Sequence, residues 1–293
     1  MQVLYNKTDP FTLGSVCALG NFDGIHRAHQ EIINKIKKIA DGFKKTGIIT
    51  FNPPPVSILH KDGIFFLTTK EEKEEILNSL GIDFIYYFKF DINFSQKTPE
   101  EFVDLIYTSI KPSMIIIGEN FHFGKGRKGN ANLLKNLARN RFDVEIIPRI
   151  KDQNGVISST RVRELLLLGH IPAANRLLGR EYTITGEVIK GKGKGAKIGF
   201  PTINLSIDKD KLLPLDGVYE VKLEILGRDY QGAMFLTHNV IEVHILDFSG
   251  NLYGQKISIR LVKRLRAIKK FPDDESLKRA IADDIKRIKN PKI

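Results

Sequence analysis

Tryptophan is absent from this 293-residue chain, and Cys17 is its only cysteine. A single cysteine excludes an intrachain disulfide, so a reducing cytosol is the compartment that this composition favours. Cys17 lies in an apolar run, which is typical of a buried strand and not of a nucleophile.

Long apolar runs are missing as well. Residues 114–117 and 165–168 are among the longest, and both are far shorter than a bilayer requires. The first eleven residues contain no signal-peptide core. We therefore expect a soluble, cytoplasmic protein with no membrane partner.

Acidic residues are in deficit, with 34 Asp and Glu against 46 Lys and Arg, and the net charge is +12. The lysines are spread over helix-like faces such as 35–45 and a loop at 191–197, without the repeated aromatic residues that stack on bases. Anionic small substrates account for the excess about as well. We expect small molecules and no nucleic acid as partners, and the pattern does not indicate an oligomeric state.

The predicted pattern of secondary structure changes near residue 180. Up to that point short apolar strands, predicted at 47–51, 84–88, 114–118 and 144–147, alternate with amphipathic helices. The spacing of Thr69 and Glu72 predicts a helix N-terminus, and so does Thr98 followed by Pro99. Alternating β and α segments indicate a parallel sheet, in which ligands bind at the carboxyl ends of the strands.

After Gly179 the chain consists of closely spaced β-rich runs separated by Gly, Asp and Asn turns. Such runs without intervening helices indicate a small antiparallel barrel or sandwich. A final helix is predicted over 273–289, with Asp273 or Asp274 as its cap.

The most informative motif, Gly20 to Gln30, reads GNFDGIHRAHQ and joins the apolar run 16–19 to a helical pattern. A helix N-terminus offers free N–H groups and the positive end of the macrodipole to phosphate, and Gly20 and Gly24 permit close backbone approach. His26 and His29 lie three residues apart and would therefore share a face of a helix. An ordinary turn with two surface histidines explains this motif equally well by itself.

Two further motifs follow along the first half. Residues 115–130, IIIGENFHFGKGRKGN, combine amides and aromatic rings in a loop that suits a flat heterocycle, or form a plain glycine-rich surface loop. In ISSTRVRELLLLG, Ser158, Ser159 and Thr160 can cap a helix while Arg161 or Arg163 reaches an anion.

In this order, the three motifs resemble the adenylyltransferase half of the bacterial bifunctional riboflavin kinase and FMN adenylyltransferase family. IGFPTINL, PLDGVYEV, EVHILDFSGNLYG and LRAIKKF resemble its flavokinase half, so the resemblance covers nearly the whole chain. It implies a Rossmann-like nucleotidylyltransferase domain with a parallel sheet at 1–180 and a six-stranded flavokinase barrel with a C-terminal helix at 181–293. It also implies two Mg²⁺-dependent reactions with ATP, from riboflavin to FMN and from FMN to FAD and pyrophosphate.

The resemblance also assigns roles to residues of the first half. His26 and His29 would be catalytic as electrostatic stabilisers, because the FMN phosphate is already largely an anion and needs no strong base. The ATP-binding residues would be Gly20, Phe22, Asp23, Gly24, Ser159 and Arg161. The flavin-binding residues of this half would be Asn120, Phe121, Phe123 and Arg127.

In the second half, the resemblance makes Glu242 the general base, which a ribityl hydroxyl requires because it is not ionised at neutral pH. Thr202 and Asn204 would be oxygen ligands of Mg²⁺. Tyr253 would contact the flavin. The segment GKGKGAK fails the P-loop spacing, but Gly193, Lys194 and Gly195 can cradle ATP through backbone amides.

One departure from the family lies between Gly232 and Glu242, where the family has a longer loop near the flavin. This shortening leaves two alternatives to a bifunctional enzyme. The first is an FMN adenylyltransferase whose kinase is weak or lost. The second is a protein that binds flavin or nucleotide without turnover.

Overall fold

The computed structural model describes residues 1–6, 8–59, 65–191 and 193–290. The chain forms two compact units, Met1–Ser159 and Thr160–Ile293. The domain boundary near residue 180 stays a prediction. None of the helices in these described ranges combines the length and apolarity needed to span a bilayer.

The first unit is built on a six-stranded parallel sheet, as predicted, with strand order β1-β4-β3-β2-β5-β8. Two short hairpins, β6–β7 and β9–β10, accompany it. The strands are β1 Gln2–Tyr5, β2 Val16–Leu19, β3 Thr46–Asn52, β4 Phe84–Lys89, β5 Met114–Gly118, β6 His122–Phe123, β7 Gly129–Asn130, β8 Asp143–Ile147, β9 Lys151–Asp152 and β10 Gly155–Val156.

Helices connect these strands and continue past the sheet. The two predicted helix N-termini are confirmed, and each has a capping box, Thr69 with Glu72 and Thr98 with Glu101. The helices are α1 Arg27–Ala40, α2 Pro55–Leu59, α3 Lys70–Ser79, α4 Ile92–Ser95, α5 Pro99–Ile110, α6 Ala131–Leu137, α7 Ser159–Leu167 and α8 Ile171–Leu178.

Apolar side chains from alternate positions of the sheet form two separate core clusters, one on each face. Cys17 and Leu19 belong to one cluster, while Val16 and Ala18 belong to the other. A strand buried on both faces reads as a continuous apolar run, which is why the sequence predicted the central strands well. The expectation for Cys17 is confirmed, because its thiol is fully buried and burial raises its pKa to about 12 against the opposing hydrogen bond with Ser15.

The second unit contains a closed antiparallel barrel with strand order β11-β12-β15-β14-β13-β16. Its remaining elements are β11 Tyr182–Ile189, α9 Lys194–Lys197, β12 Ile203–Ile207, β13 Gly217–Ile225, β14 Arg228–Thr237, β15 Val240–Ile245, β16 Lys256–Arg266 and α10 Asp274–Lys289. Asp273 is the N-cap of α10, and its carboxylate accepts a hydrogen bond from the backbone N–H of Ser276. Arg266 Nε and Nη2 lie 2.9 and 2.8 Å from Asp284 Oδ2 and tie α10 to β16.

The structure differs from the sequence expectation at two segments. Residues 120–130, expected as one loop, contain the β6–β7 hairpin, because His122 and Phe123 pair with Asn130 and Gly129. The expected loop 191–197 contains the short helix α9, whose last turn closes through a hydrogen bond from Ile198 N–H to Gly195 O. Both elements are too short for a periodic pattern to indicate them.

Candidate active sites of the two units

The turn from Gly20 to His26 leaves the carboxyl end of β2 and enters α1. Phe22, Gly24 and Ile25 have positive φ angles of 48°, 80° and 39°, so the backbone reverses sharply before the helix. The two non-glycine residues hold a conformation that costs free energy and persists only when the surroundings fix it.

Asp23 is the centre of the contacts that fix this turn. Its carboxylate Oδ1 accepts hydrogen bonds from Thr68 N–H at 3.2 Å and Thr68 Oγ1 at 3.4 Å, and Gly24 N–H donates to Thr68 Oγ1 at 3.2 Å. Ser159 Oγ donates to the carbonyl of Asp23 at 2.8 Å. The predicted ATP-binding residues Asp23 and Ser159 thus come together, and both shape the turn.

The two histidines lie side by side at the start of α1. His26 is the N-cap, and its Nδ1 accepts a hydrogen bond from His29 N–H at 3.4 Å. The imidazole rings stack with centroids 3.8 Å apart, and the ring of Phe22 lies 4.8 Å from that of His29. Both imidazoles therefore occupy the positive end of the helix dipole, where anions bind.

Lys73 is a residue of this site that the sequence analysis missed. It lies on α3 and is 6% exposed, and its Nζ donates to the carbonyl of Asn21 at 2.8 Å. Burial lowers its pKa, while the carboxylates of Asp23 and Glu74 act in the opposite direction. In the sequence Lys73 stands within KEEKEE, which is typical of a solvated helix face, so no pattern pointed to it.

The β6–β7 hairpin follows β5, the sheet neighbour of β2, and so it leaves the same edge of the sheet as the histidine turn. Phe123 is buried in the core, with its ring centroid 5.3 Å from that of Phe102. Phe121 is half-buried and stacks on Phe123 with centroids 5.7 Å apart, whereas Asn120 and Arg127 are exposed. Of the two predicted flavin-binding rings, Phe121 is therefore the more accessible.

The predicted kinase residues come together on two neighbouring barrel strands. Asn204 on β12 is the direct cross-strand partner of Glu242 on β15. Glu242 alternates with the buried Ile241 and Val243, so its carboxylate lies on the face of β15 away from the apolar core. The pairing places an amide and a carboxylate on adjacent strands within reach of one ligand.

The segment before β12 is shaped around the same side chains. A Cβ at Gly191 would lie 2.0 Å from Asn204 Nδ2, and one at Gly195 would lie 3.3 Å from Thr202 Oγ1 and 2.4 Å from Phe200 O. The absence of side chains at these positions therefore leaves the space that Asn204 and Thr202 occupy. Gly193 is the N-cap of α9 with φ 68°, and Lys194 Nζ lies 3.6 Å from Asp274 Oδ1 on the exposed surface.

His244, two residues beyond Glu242, is a second residue that the sequence analysis missed. Its Nδ1 lies 2.8 Å from the carbonyl oxygen of Pro201, and its ring meets that of Phe200 edge-on at 5.5 Å. Nδ1 must donate, because a carbonyl oxygen only accepts. This contact ties the strand of Glu242 to the residue that precedes Thr202.

Two other predictions concern the edges of the barrel. Tyr253 is 55% exposed in the turn after β15, and within the described residues it makes no hydrogen bond or ring contact with Thr202, Asn204 or Glu242. The shortened segment from Gly232 to Glu242 is a complete hairpin in which Thr237 pairs with Val240. Its two-residue turn has positive φ at His238 and Asn239, which is typical of a type I′ turn.

Comparison with known proteins adds independent support for two functional units. The family model described as FAD synthetase matches residues 9–161, and the model described as riboflavin kinase matches residues 178–291. A crystal structure of a Streptococcus pneumoniae protein, designated a macrolide-efflux protein, is 30% identical, covers 100% of both chains and has a TM-score of 0.89.

Two curated relatives carry one name, bifunctional riboflavin kinase/FMN adenylyltransferase. The Listeria monocytogenes protein is 36% identical over 92% of this chain and 90% of its own length. The protein of Buchnera aphidicola subsp. Schizaphis graminum is 36% identical over 94% of this chain and 93% of its own length. Because family models match both units and these relatives cover nearly the whole chain, the chain belongs to the family of bifunctional riboflavin kinases/FMN adenylyltransferases.

Proposed function

We propose that the barrel unit phosphorylates riboflavin with ATP and that the α/β unit adenylylates the resulting FMN to FAD. The observation that carries this proposal is the pairing of Asn204 with Glu242 in a unit that matches riboflavin kinases, in a chain whose other unit matches FAD synthetases. The tight His238–Asn239 turn supports an active kinase, because β14 and β15 stay fully paired around Glu242 despite the short connection.

In the kinase reaction, Glu242 accepts the proton of a ribityl hydroxyl while that oxygen attacks the terminal phosphorus of ATP. The new bond joins the ribityl oxygen to the γ-phosphorus, the bond from that phosphorus to the oxygen bridging the β- and γ-phosphates breaks, and ADP leaves. The glycines and Lys194 of the segment before β12 hold the ATP phosphates, and Tyr253 covers the flavin. The role of Glu242 is supported by the family match and by its pairing with Asn204, whereas the roles of Lys194 and Tyr253 are supported by their sequence motifs alone.

Thr202 and Asn204 are the residues that would hold Mg²⁺ in this unit. Their hydroxyl and amide oxygens are hard donors of the kind Mg²⁺ prefers, and the absence of side chains at Gly191 and Gly195 accommodates these two side chains. Within the described residues no group of three His, Cys, Asp or Glu side chains could hold a metal ion. Mg²⁺ commonly takes phosphates of its substrate and waters as further ligands, and nucleotide phosphates would serve here. Bound there, the ion would neutralise charge on the phosphates.

In the adenylylation reaction, an oxygen of the FMN phosphate attacks the α-phosphorus of ATP and pyrophosphate leaves. The attacking group is already an anion, so the unit has to align the reactants and stabilise charge. His26, His29 and the N-terminus of α1 stabilise that charge, and Ser159 and Arg161 hold the ATP phosphates. Asn120, Phe121 and Arg127 bind the flavin, with Phe123 supporting the ring of Phe121 from the core.

Riboflavin, FMN and ATP are the partners, and nucleic acid is not among them. The lysines carry no aromatic array for base stacking, and anionic substrates account for the positive charge. We also propose a cytoplasmic location, because both reactions consume ATP.

The decisive experiment is chromatography of flavins after the pure protein is incubated with Mg·ATP and either riboflavin or FMN. FAD from both incubations is expected and establishes both activities. FAD from FMN alone would refute the kinase and leave the transferase. No product from either would refute both reactions in favour of flavin binding without turnover.

A further inference from the structure

Lys73 is a buried cation with no role in either of the two proposed reactions. It is 6% exposed, and within the described residues the carbonyl of Asn21 is the one hydrogen-bond acceptor of its ammonium group, at 2.8 Å. The carboxylates of Asp23 and Glu74 favour its charged form, but burial of charged groups remains costly, and apolar side chains could fill such a position without that cost. A lysine at this place therefore calls for a role beyond packing.

The contact with Asn21 fixes the orientation of one peptide group in the histidine turn. The carbonyl of Asn21 and the N–H of Phe22 belong to the same planar trans peptide and point in opposite directions. Since Lys73 holds the carbonyl inward, the N–H of Phe22 is directed away from the core. Phe22 itself has a φ of 48°, a conformation that needs such an anchor.

We propose that Lys73 is a positioning residue for adenylyl transfer, which anchors the Asn21–Phe22 peptide so that its N–H group faces the nucleotide phosphates. Its positive charge, behind the N-terminus of α1, also adds to the potential that attracts them. This inference rests on the proposed function of the α/β unit. Lys73 acts through the turn and does not touch the substrate.

The test is the Lys73→Met variant, with Lys70→Met as a matched control. Lys70 lies on the same helix and carries the same charge, but its ammonium pairs with Glu74 at 3.2 Å, and its side chain is 34% exposed. For Lys73→Met we expect kcat/KM of FMN adenylylation with ATP to fall roughly ten- to a hundredfold, with a raised KM for ATP. Riboflavin phosphorylation by the same chain should be unchanged, and Lys70→Met should alter neither reaction.

Thermal unfolding separates positioning from a structural role. Lys73→Met leaves the Asn21 carbonyl without its donor and the buried Asp23 carboxylate without this cation, so the Tm should fall, and both rates are measured well below it, where the loss of adenylylation should persist. Full adenylylation by Lys73→Met would overturn the inference. So would a loss of activity that accompanies a lowered Tm and disappears at a lower assay temperature. Absence of adenylylation in the wild type would instead refute the proposed function.

Discussion

Asn204 and Glu242 are direct cross-strand partners on β12 and β15. In an antiparallel pair, opposite Cβ atoms lie about 5 Å apart, so an amide and a carboxylate can act on one bound molecule. A register slip by one residue would move one of them to the other face of its strand. The closed barrel therefore fixes the geometry that we assign to the kinase.

The Glu242→Gln variant should lose riboflavin phosphorylation by roughly a hundredfold or more, because glutamine cannot accept the hydroxyl proton. FMN adenylylation should be nearly unchanged. Flavin chromatography of both reactions measures this, with Glu224→Gln, an exposed position of β13, as the control. Equal loss of both activities would contradict the assignment of the two reactions to separate sites.

The His29→Ala variant should lower FAD formation from FMN by roughly a hundredfold, because one of the two stacked imidazoles at the start of α1 is removed. Formation of FMN from riboflavin should be unaffected. Initial rates of the two reactions on the same preparation are the measurement. The reverse pattern would mean that the reactions belong to the opposite units.

The Gly191→Ala variant should lower kinase activity roughly tenfold or more, because its Cβ would lie 2.0 Å from Asn204 Nδ2 and force that side chain aside. The double variant with Asn204→Ala provides the control. If Gly191 acts through Asn204, the second substitution adds little to the effect of Asn204→Ala alone. Additive losses would show that Gly191 acts elsewhere.

The His244→Ala variant should lower kinase activity roughly tenfold, because it loses the hydrogen bond to the carbonyl of Pro201. That bond fixes the backbone just before Thr202. His244→Asn should retain most of the activity, since the asparagine Nδ2 can donate from a similar position. The ratio of the two kcat/KM values is the measurement. Identical losses in both variants would argue against this hydrogen bond.

The sequence predicted those parts of the fold that rest on local rules. Continuous apolar runs marked the central strands, the spacing of Thr69 and Glu72 marked the start of α3, and Thr98 followed by Pro99 marked the start of α5. The β6–β7 hairpin and α9 were not predicted, because two to four residues cannot show a period. The strand β1 was also missed, since its pairing with β4 is set by tertiary contacts.

The candidate sites show the same division between local and long-range information. The motif residues from Gly20 to His29 are close in sequence and could be grouped without a structure. Lys73 could not be grouped with them from the sequence, because its proposed role depends on the carbonyl of Asn21, 52 residues away in the chain. His244 contacts Pro201 across 43 residues, and a pattern of alternating strand residues gives no sign of that bond.

Cys17 makes the native chain an effectively cysteine-free background for labelling. Its thiol is buried and, with a pKa of about 12, remains protonated near neutral pH, whereas maleimides and haloacetamides react with the exposed thiolate. A cysteine introduced at an exposed position of the turn after β15, as in Gln255→Cys, would therefore take a fluorophore alone. The flavin binding that we propose beside that turn could be followed by fluorescence without first removing a native residue.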